Sequence, residues 1–109
     1  MANAKTSTNL EENVAGALCY VLGWITGIIF YIIEKENKTV RFHAVQSIIV
    51  FLPLTIIVGI FQFIPFIGWA ISGLIGLLMF ILWLILMLKA YQGEKFKLPV
   101  IGDIAEKNA

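Results

Sequence analysis

Three apolar runs, parted by short polar or turn-forming stretches, leave this 109-residue chain few ways to fold. Residues 14–33 carry no charge, and at 1.5 Å rise per residue a helix of that length covers about 30 Å, the thickness of a bilayer's hydrocarbon core. Glu11 and Glu12 precede the run, where a cleaved signal peptide would have basic residues and a shorter apolar core, so the segment reads as a retained span. Thr8 with Glu11 fits a capping box, which places helix one at about 9–34, while residues 1–7 are polar and fray. Residues 34–41 are too polar to cross lipid and form a loop. Helix two follows at about 41–63, with Pro53 in its middle predicting a kink that frees the Ile49 carbonyl. Pro65 and Gly68 mark a tight, uncharged connection lying in the interface. Helix three runs from about 66 to 92 and stops near Gly93. The expected fold is all-α, a single polytopic membrane domain of three transmembrane helices with an interfacial tail at 93–109.

Composition excludes several functions. With 60% hydrophobic and 14% charged residues, the chain lies far from soluble domains, which have about 25% charged residues. A net charge of +1 supplies no field for nucleic acid. One cysteine, Cys19, and one histidine, His43, build neither an intrachain disulfide nor a zinc site, and no metal or cofactor is expected. Lys35, Lys38, Arg41, Lys89, Lys95, Lys97 and Lys107 fall on one side of a three-span arrangement and only Lys5 on the other. The enrichment of basic residues in cytoplasmic loops then puts the N-terminus outside and the C-terminus in the cytoplasm of a plasma-membrane protein. Asn37-Lys38-Thr39 matches a glycosylation sequon but falls on the cytoplasmic side, where it is a chance match.

Helix one carries Ala15, Cys19, Gly23 and Gly27 at four-residue spacing, and helix three carries Gly68, Ser72 and Gly76. Such ridges of small side chains let helix backbones approach closely, either between helices one and three of one chain or across a homo-oligomer. The most unusual polar cluster is Arg41, His43, Gln46 and Ser47, of which the last three share a helix face. That face can line a hydrated vestibule or receive another segment. It can equally be structural, with Arg41 reaching phosphates and Ser47 bonding back to the His43 carbonyl. No acidic residue lies nearby in sequence to orient the imidazole, so no enzyme is expected. In the tail, Lys95 and Lys97 alternate with Phe96, Leu98, Val100, Ile101 and Ile104, a pattern for a membrane-surface segment meeting anionic headgroups or for a strip that docks a partner.

Three stretches together, Tyr-Ile-Ile-Glu-Lys-Glu at 31–36, Val-Arg-Phe-His-Ala-Val-Gln-Ser at 40–47 and Tyr-Gln-Gly-Glu-Lys-Phe-Lys-Leu-Pro-Val-Ile-Gly-Asp-Ile at 91–104, resemble the small prokaryotic membrane proteins grouped with the chloroplast inner-envelope import component (Tic-twenty-like). The resemblance implies kinship with a channel-forming translocon subunit whose plastid members have four spans, one more than is counted here. On the positions that match, it singles out Arg41, His43, Gln46 and Ser47, with Glu94, Lys97 and Pro99 in the tail, and gives none of them a catalytic role. The expected function is a subunit or scaffold of a membrane assembly, related to translocation through that resemblance, in contact with lipid and with copies of itself or other membrane proteins. The competing expectation is a homo-oligomeric channel or transporter for small solutes, lined by the His43, Gln46 and Ser47 face.

Overall fold

The computed structural model describes residues 10–109, and the Thr8 cap, the fraying segment 1–7 and Lys5 lie outside the described residues. Five helices follow one another: α1 (Glu12–Val21), α2 (Trp24–Ile33), α3 (Lys38–Phe61), α4 (Ile67–Tyr91) and α5 (Ile101–Asn108). The molecule is elongated, 48 × 23 × 23 Å. Among the described residues, only α3 and α4 form helices long and apolar enough to cross a membrane.

The first apolar run departs from expectation. It is two ten-residue helices, not one span, because Gly23 takes φ +62° and ψ −132°, a backbone conformation closed to residues with a Cβ. At this break the chain folds back on itself. The Gly23 N–H donates to the Tyr20 carbonyl at 2.9 Å, and the Thr26 hydroxyl donates to the Cys19 carbonyl at 3.1 Å, a contact that seven residues of straight helix would hold far apart. Both ends of the hairpin lie at one end of the molecule. The Asn13 amide donates to the Tyr91 carbonyl (2.9 Å), and the Asn37 amide donates to a Glu12 carboxylate oxygen (2.7 Å), beside the end of α2. The apex lies about a third of the way along α4 from its C-terminal end, where the Trp83 indole N–H donates to the Tyr20 carbonyl (2.7 Å) and to that of Val21 (3.2 Å). Each arm is about 15 Å long, half the hydrocarbon thickness.

α3 begins at Lys38, ahead of the expected start near 41. The Asn37 side chain caps it by accepting from the Thr39 and Val40 N–H groups at 2.9 and 3.0 Å. The helix continues unbroken through Pro53, and beyond it the Thr55 hydroxyl donates to the Phe51 carbonyl. Its first half is enclosed by α1, α2, α4 and the tail, and Val40, Phe42, Ala44, Val45, Val50 and Phe51 are buried there. Its second half pairs with α4, with the Ser72 hydroxyl donating to the Val58 carbonyl. Apolar side chains face outward along that pair, including Ile60, Phe63, Phe66, Ile67 and Leu74. From Phe42 to Leu88 there is no Asp, Glu, Lys or Arg, so the far end is uncharged and every described charge lies in the near half. The tail is not simply laid along a surface. Residues 94–98 run extended beside α3, and α5 returns antiparallel to it, packing Ala105 against Phe42 and Val45.

Candidate functional site

The near half of α3 gathers the polar residues that the sequence singles out. Gln46 is fully buried, and its amide is oriented without ambiguity because the two backbone groups it meets have fixed roles. The Leu98 N–H donates to Oε1 at 3.2 Å, and Nε2 donates to the Phe96 carbonyl at 2.9 Å. One amide thus grips two backbone groups of the extended tail, as a neighbouring strand would. The second Nε2 hydrogen points to the Tyr20 hydroxyl at 3.1 Å. That hydroxyl lies 2.9 Å from His43 Nδ1, within hydrogen-bond distance, and the imidazole tautomer sets which of the two donates. A continuous seam therefore joins α1, α3 and the tail, with the Tyr20 and Phe42 rings edge-on to the imidazole at 5.5 and 5.2 Å.

The remaining candidates take separate positions. The Ser47 hydroxyl donates to the Gly23 carbonyl at 2.7 Å, holding the hairpin apex, and does not turn back to His43. Arg41 does not reach outward for phosphate. Its Nη1 donates to the carbonyls of Glu34 (2.7 Å) and Tyr31 (3.0 Å), and its guanidinium lies 4.2 Å from the Tyr31 ring centroid, closing the loop between α2 and α3. Ala15 and Cys19 are buried, and the Cys19 thiol donates to the Val40 carbonyl at 3.6 Å. Gly23 and Gly27 face α3: a Cβ on Gly27 would stand 2.9 Å from the Ala44 carbonyl oxygen. Gly68 lies against Phe61 and Ile64 and Ser72 against α3, so this second ridge does not meet helix one, and Gly76 faces open space. Gly16, which the four-residue ridge passes over, lies against α3 and α4; a Cβ there would stand 2.9 Å from His43 Cδ2 and 3.5 Å from Ala90 Cβ.

In the tail, Lys95 and Lys97 converge on one carboxylate. Their ammonium groups lie 3.1 and 2.8 Å from the two oxygens of Glu106, and Lys95 also sits 4.9 Å from the Phe42 ring centroid. The hydrogen bond from Lys97, followed by that from Lys95, holds the Glu106 carboxyl below its usual range, and the same bond raises Lys97. Glu94 pairs with Lys89 at 3.1 Å, and the Pro99 carbonyl accepts from the Ile101 N–H where α5 begins. Among the described residues no three His, Cys, Asp or Glu side chains come together as a metal site would require.

Residues 4–105 match the model of the magnetosome magnetite crystal formation protein family. A UPF0132 membrane protein of Methanocaldococcus jannaschii is 64% identical over 103 residues, covering 94% of this chain and 93% of that protein. A second from the same organism is 52% identical over 98 residues, covering 90% of this chain and 70% of its own length. One from Archaeoglobus fulgidus is also 52% identical over 98 residues, covering 90% of this chain and 95% of its own. No solved structure matches. The chain belongs to this family of membrane proteins. That membership corrects the resemblance to the Tic-twenty-like proteins: the match takes in both the 40–47 and the 91–104 motifs, and with it the link to translocation falls away.

Proposed function

We propose that this member of the family is a non-catalytic scaffold of a membrane assembly, embedded from one face of the bilayer. In this reading α3 and α4 cross the hydrocarbon core, the α1–α2 hairpin enters from the near side and turns back within it, and the start of α1 and the tail lie on that near side. The abundance of lysine there supports a cytoplasmic near side. Three through-going spans are replaced by two spans and a half-membrane hairpin.

One observation carries the proposal. The polar groups that a channel would turn toward its lumen are bonded to one another: Gln46 to Tyr20 and the tail, Tyr20 to His43, Ser47 to the apex carbonyl of Gly23. Groups used in this way fix the relative positions of four segments, which is what a scaffold needs. The uncharged outer faces of the α3–α4 pair are then available to lipid or to neighbouring membrane proteins, including further copies. The family's description names magnetosome magnetite crystal formation, and the scaffold reading rests on this chain's geometry and not on that description.

The test is the mass of the complex extracted in mild detergent from the native membrane, together with solute flux through the purified protein in vesicles. The scaffold reading expects a mass above that of the 12.2 kDa chain, made of copies or of other polypeptides, and no flux. Flux that falls when Gln46 is replaced by leucine would contradict it.

A further inference from the structure

The tail is attached to the rest of the molecule in an unusual way. It leaves α4 through Gly93, which takes φ +83°, and of the four preceding helices α5 packs substantially only on α3. Its grip includes the Gln46 amide on the backbone of Phe96 and Leu98, the apolar seat of Ala105 on Phe42 and Val45, the Tyr31 hydroxyl and Lys38 ammonium donating to the Asn108 and Ala109 carbonyls at 3.2 and 3.1 Å, and the two lysines on Glu106. The Gln46 contacts read backbone alone, and the lysine–Glu106 cluster lies at the surface, where ions and headgroups compete. Two ammonium groups share a single carboxylate, so one positive charge of the cluster stays uncompensated by it.

We propose that residues 94–109 form a strap that anionic lipid headgroups release. Lys95 and Lys97 cannot bridge Glu106 and at the same time give their hydrogen bonds to phosphate, and the cluster lies beside Phe42, at the end of the uncharged stretch where the headgroup region begins. On release, α5 has the composition to lie in the interface, with Ile101, Ile104 and Ala105 toward the acyl chains and Asp103, Glu106 and Lys107 toward water. Release also frees the Gln46 amide and opens the Tyr20–His43 seam on the tail side. The lipid composition of the membrane thereby sets whether the near face presents a closed strap or an exposed polar slot. This inference rests on the membrane reading above.

The experiment uses the full chain with Cys19→Ala, Gln92→Cys and Asp103→Cys, spin-labelled on either side of the Gly93 hinge and placed in nanodiscs. Pulsed-resonance distances are compared between purely zwitterionic lipid and lipid with a substantial anionic fraction. The docked strap gives one narrow distance in zwitterionic lipid. Anionic lipid is expected to shift the docked-to-released ratio by about tenfold toward a broad, second population, and high salt to reverse the shift. Glu106→Gln should release the strap at a lower anionic fraction, and Lys95→Gln with Lys97→Gln should abolish the response to lipid. An identical distribution in both lipids overturns the proposal. Carbonate washing of the same protein in vesicles reports separately on the membrane reading: a chain that washes off defeats that reading, whereas a retained chain whose strap ignores lipid charge defeats only the strap.

Discussion

Replacing Gly23 with alanine separates two accounts of the first apolar run by the sign of the effect. At φ +62° and ψ −132° an added Cβ is strained whatever the space around it, and such backbone conformations cost on the order of 1–3 kcal/mol for a residue other than glycine. Space adds nothing to that cost, since the nearest atoms to the new Cβ would be Phe51 Cβ at 3.5 Å and Cγ at 3.8 Å, ordinary contact distances. If residues 14–33 were one straight helix, the same change would remove a glycine from a helix interior and stabilise the chain by about 1 kcal/mol. Thermal unfolding of the purified protein in mild detergent, followed by far-ultraviolet circular dichroism, reads the difference. A domain of this size moves by roughly 4–8 °C per kcal/mol, so the hairpin predicts a fall of several degrees. Gly73→Ala serves as the internal control: Gly73 sits within α4 with nothing within 4 Å of its would-be Cβ, and its substitution should leave the midpoint unchanged or raise it. A Gly23→Ala protein that melts at or above the temperature of the parent refutes the folded-back hairpin.

Other perturbations test the packing and the tail. Gly27→Val should lower stability by about 1–3 kcal/mol in the same melts, because its Cβ would stand 2.9 Å from the Ala44 carbonyl oxygen and 3.1 Å from Ser47 Cβ and would push α2 off α3. Trp83→Phe keeps the ring but withdraws the N–H from the Tyr20 and Val21 carbonyls, and it should cost about 1–2 kcal/mol, read as a lower midpoint. The docked tail should also depend on pH. Glu106 titrates below its usual value when docked, so its contribution is present above the ordinary carboxylate range, about 4.3, and is lost as pH falls through the lower docked value. Lys97, raised by the same bond, contributes below its ordinary range, about 10.4, and loses that contribution as pH rises through the higher docked value. Spin-label distances across Gly93 should therefore stay narrow at neutral pH and broaden at both extremes, and Glu106→Gln should remove the acid-side change and weaken the alkaline-side one.

Much of the architecture is legible in the residues, and the places where it is not share a cause. Run lengths and the Pro65–Gly68 turn locate α3 and α4 within a few residues, because lipid demands continuous helix wherever a chain crosses it. The break at Gly23 is hidden by the same logic. Glycine is common in transmembrane helices, and an uncharged run of spanning length looks the same whether it crosses or turns back. What separates the two are groups distant in sequence, the Ser47 hydroxyl and the Trp83 indole, which satisfy carbonyls at the turn that lipid could not. Asn37 illustrates a local signal available but read otherwise: an asparagine just before an apolar run is a helix cap, and here it moves the start of α3 to Lys38. The cluster of His43, Gln46 and Ser47 on one helix face follows from their spacing, but their partners do not. Tyr20 and the backbone of Phe96 and Leu98 come to Gln46 only through the tertiary fold, and no periodicity in the sequence announces it. In the tail, the alternation of lysine with apolar residues suggests a surface segment, whereas the pairing of both lysines with Glu106 depends on α5 folding back along α3.

The most direct measurement is the sidedness of single cysteines placed at Glu11, Lys35 and Glu94 in a Cys19→Ala background, labelled in sealed, oriented vesicles with a membrane-impermeant maleimide. A run that enters and returns puts all three positions on one side, so one face should label all three and the other none. Labelling of Glu11→Cys from the face opposite to Lys35→Cys would show that the first apolar run crosses the membrane, and would contradict the one-sided scaffold.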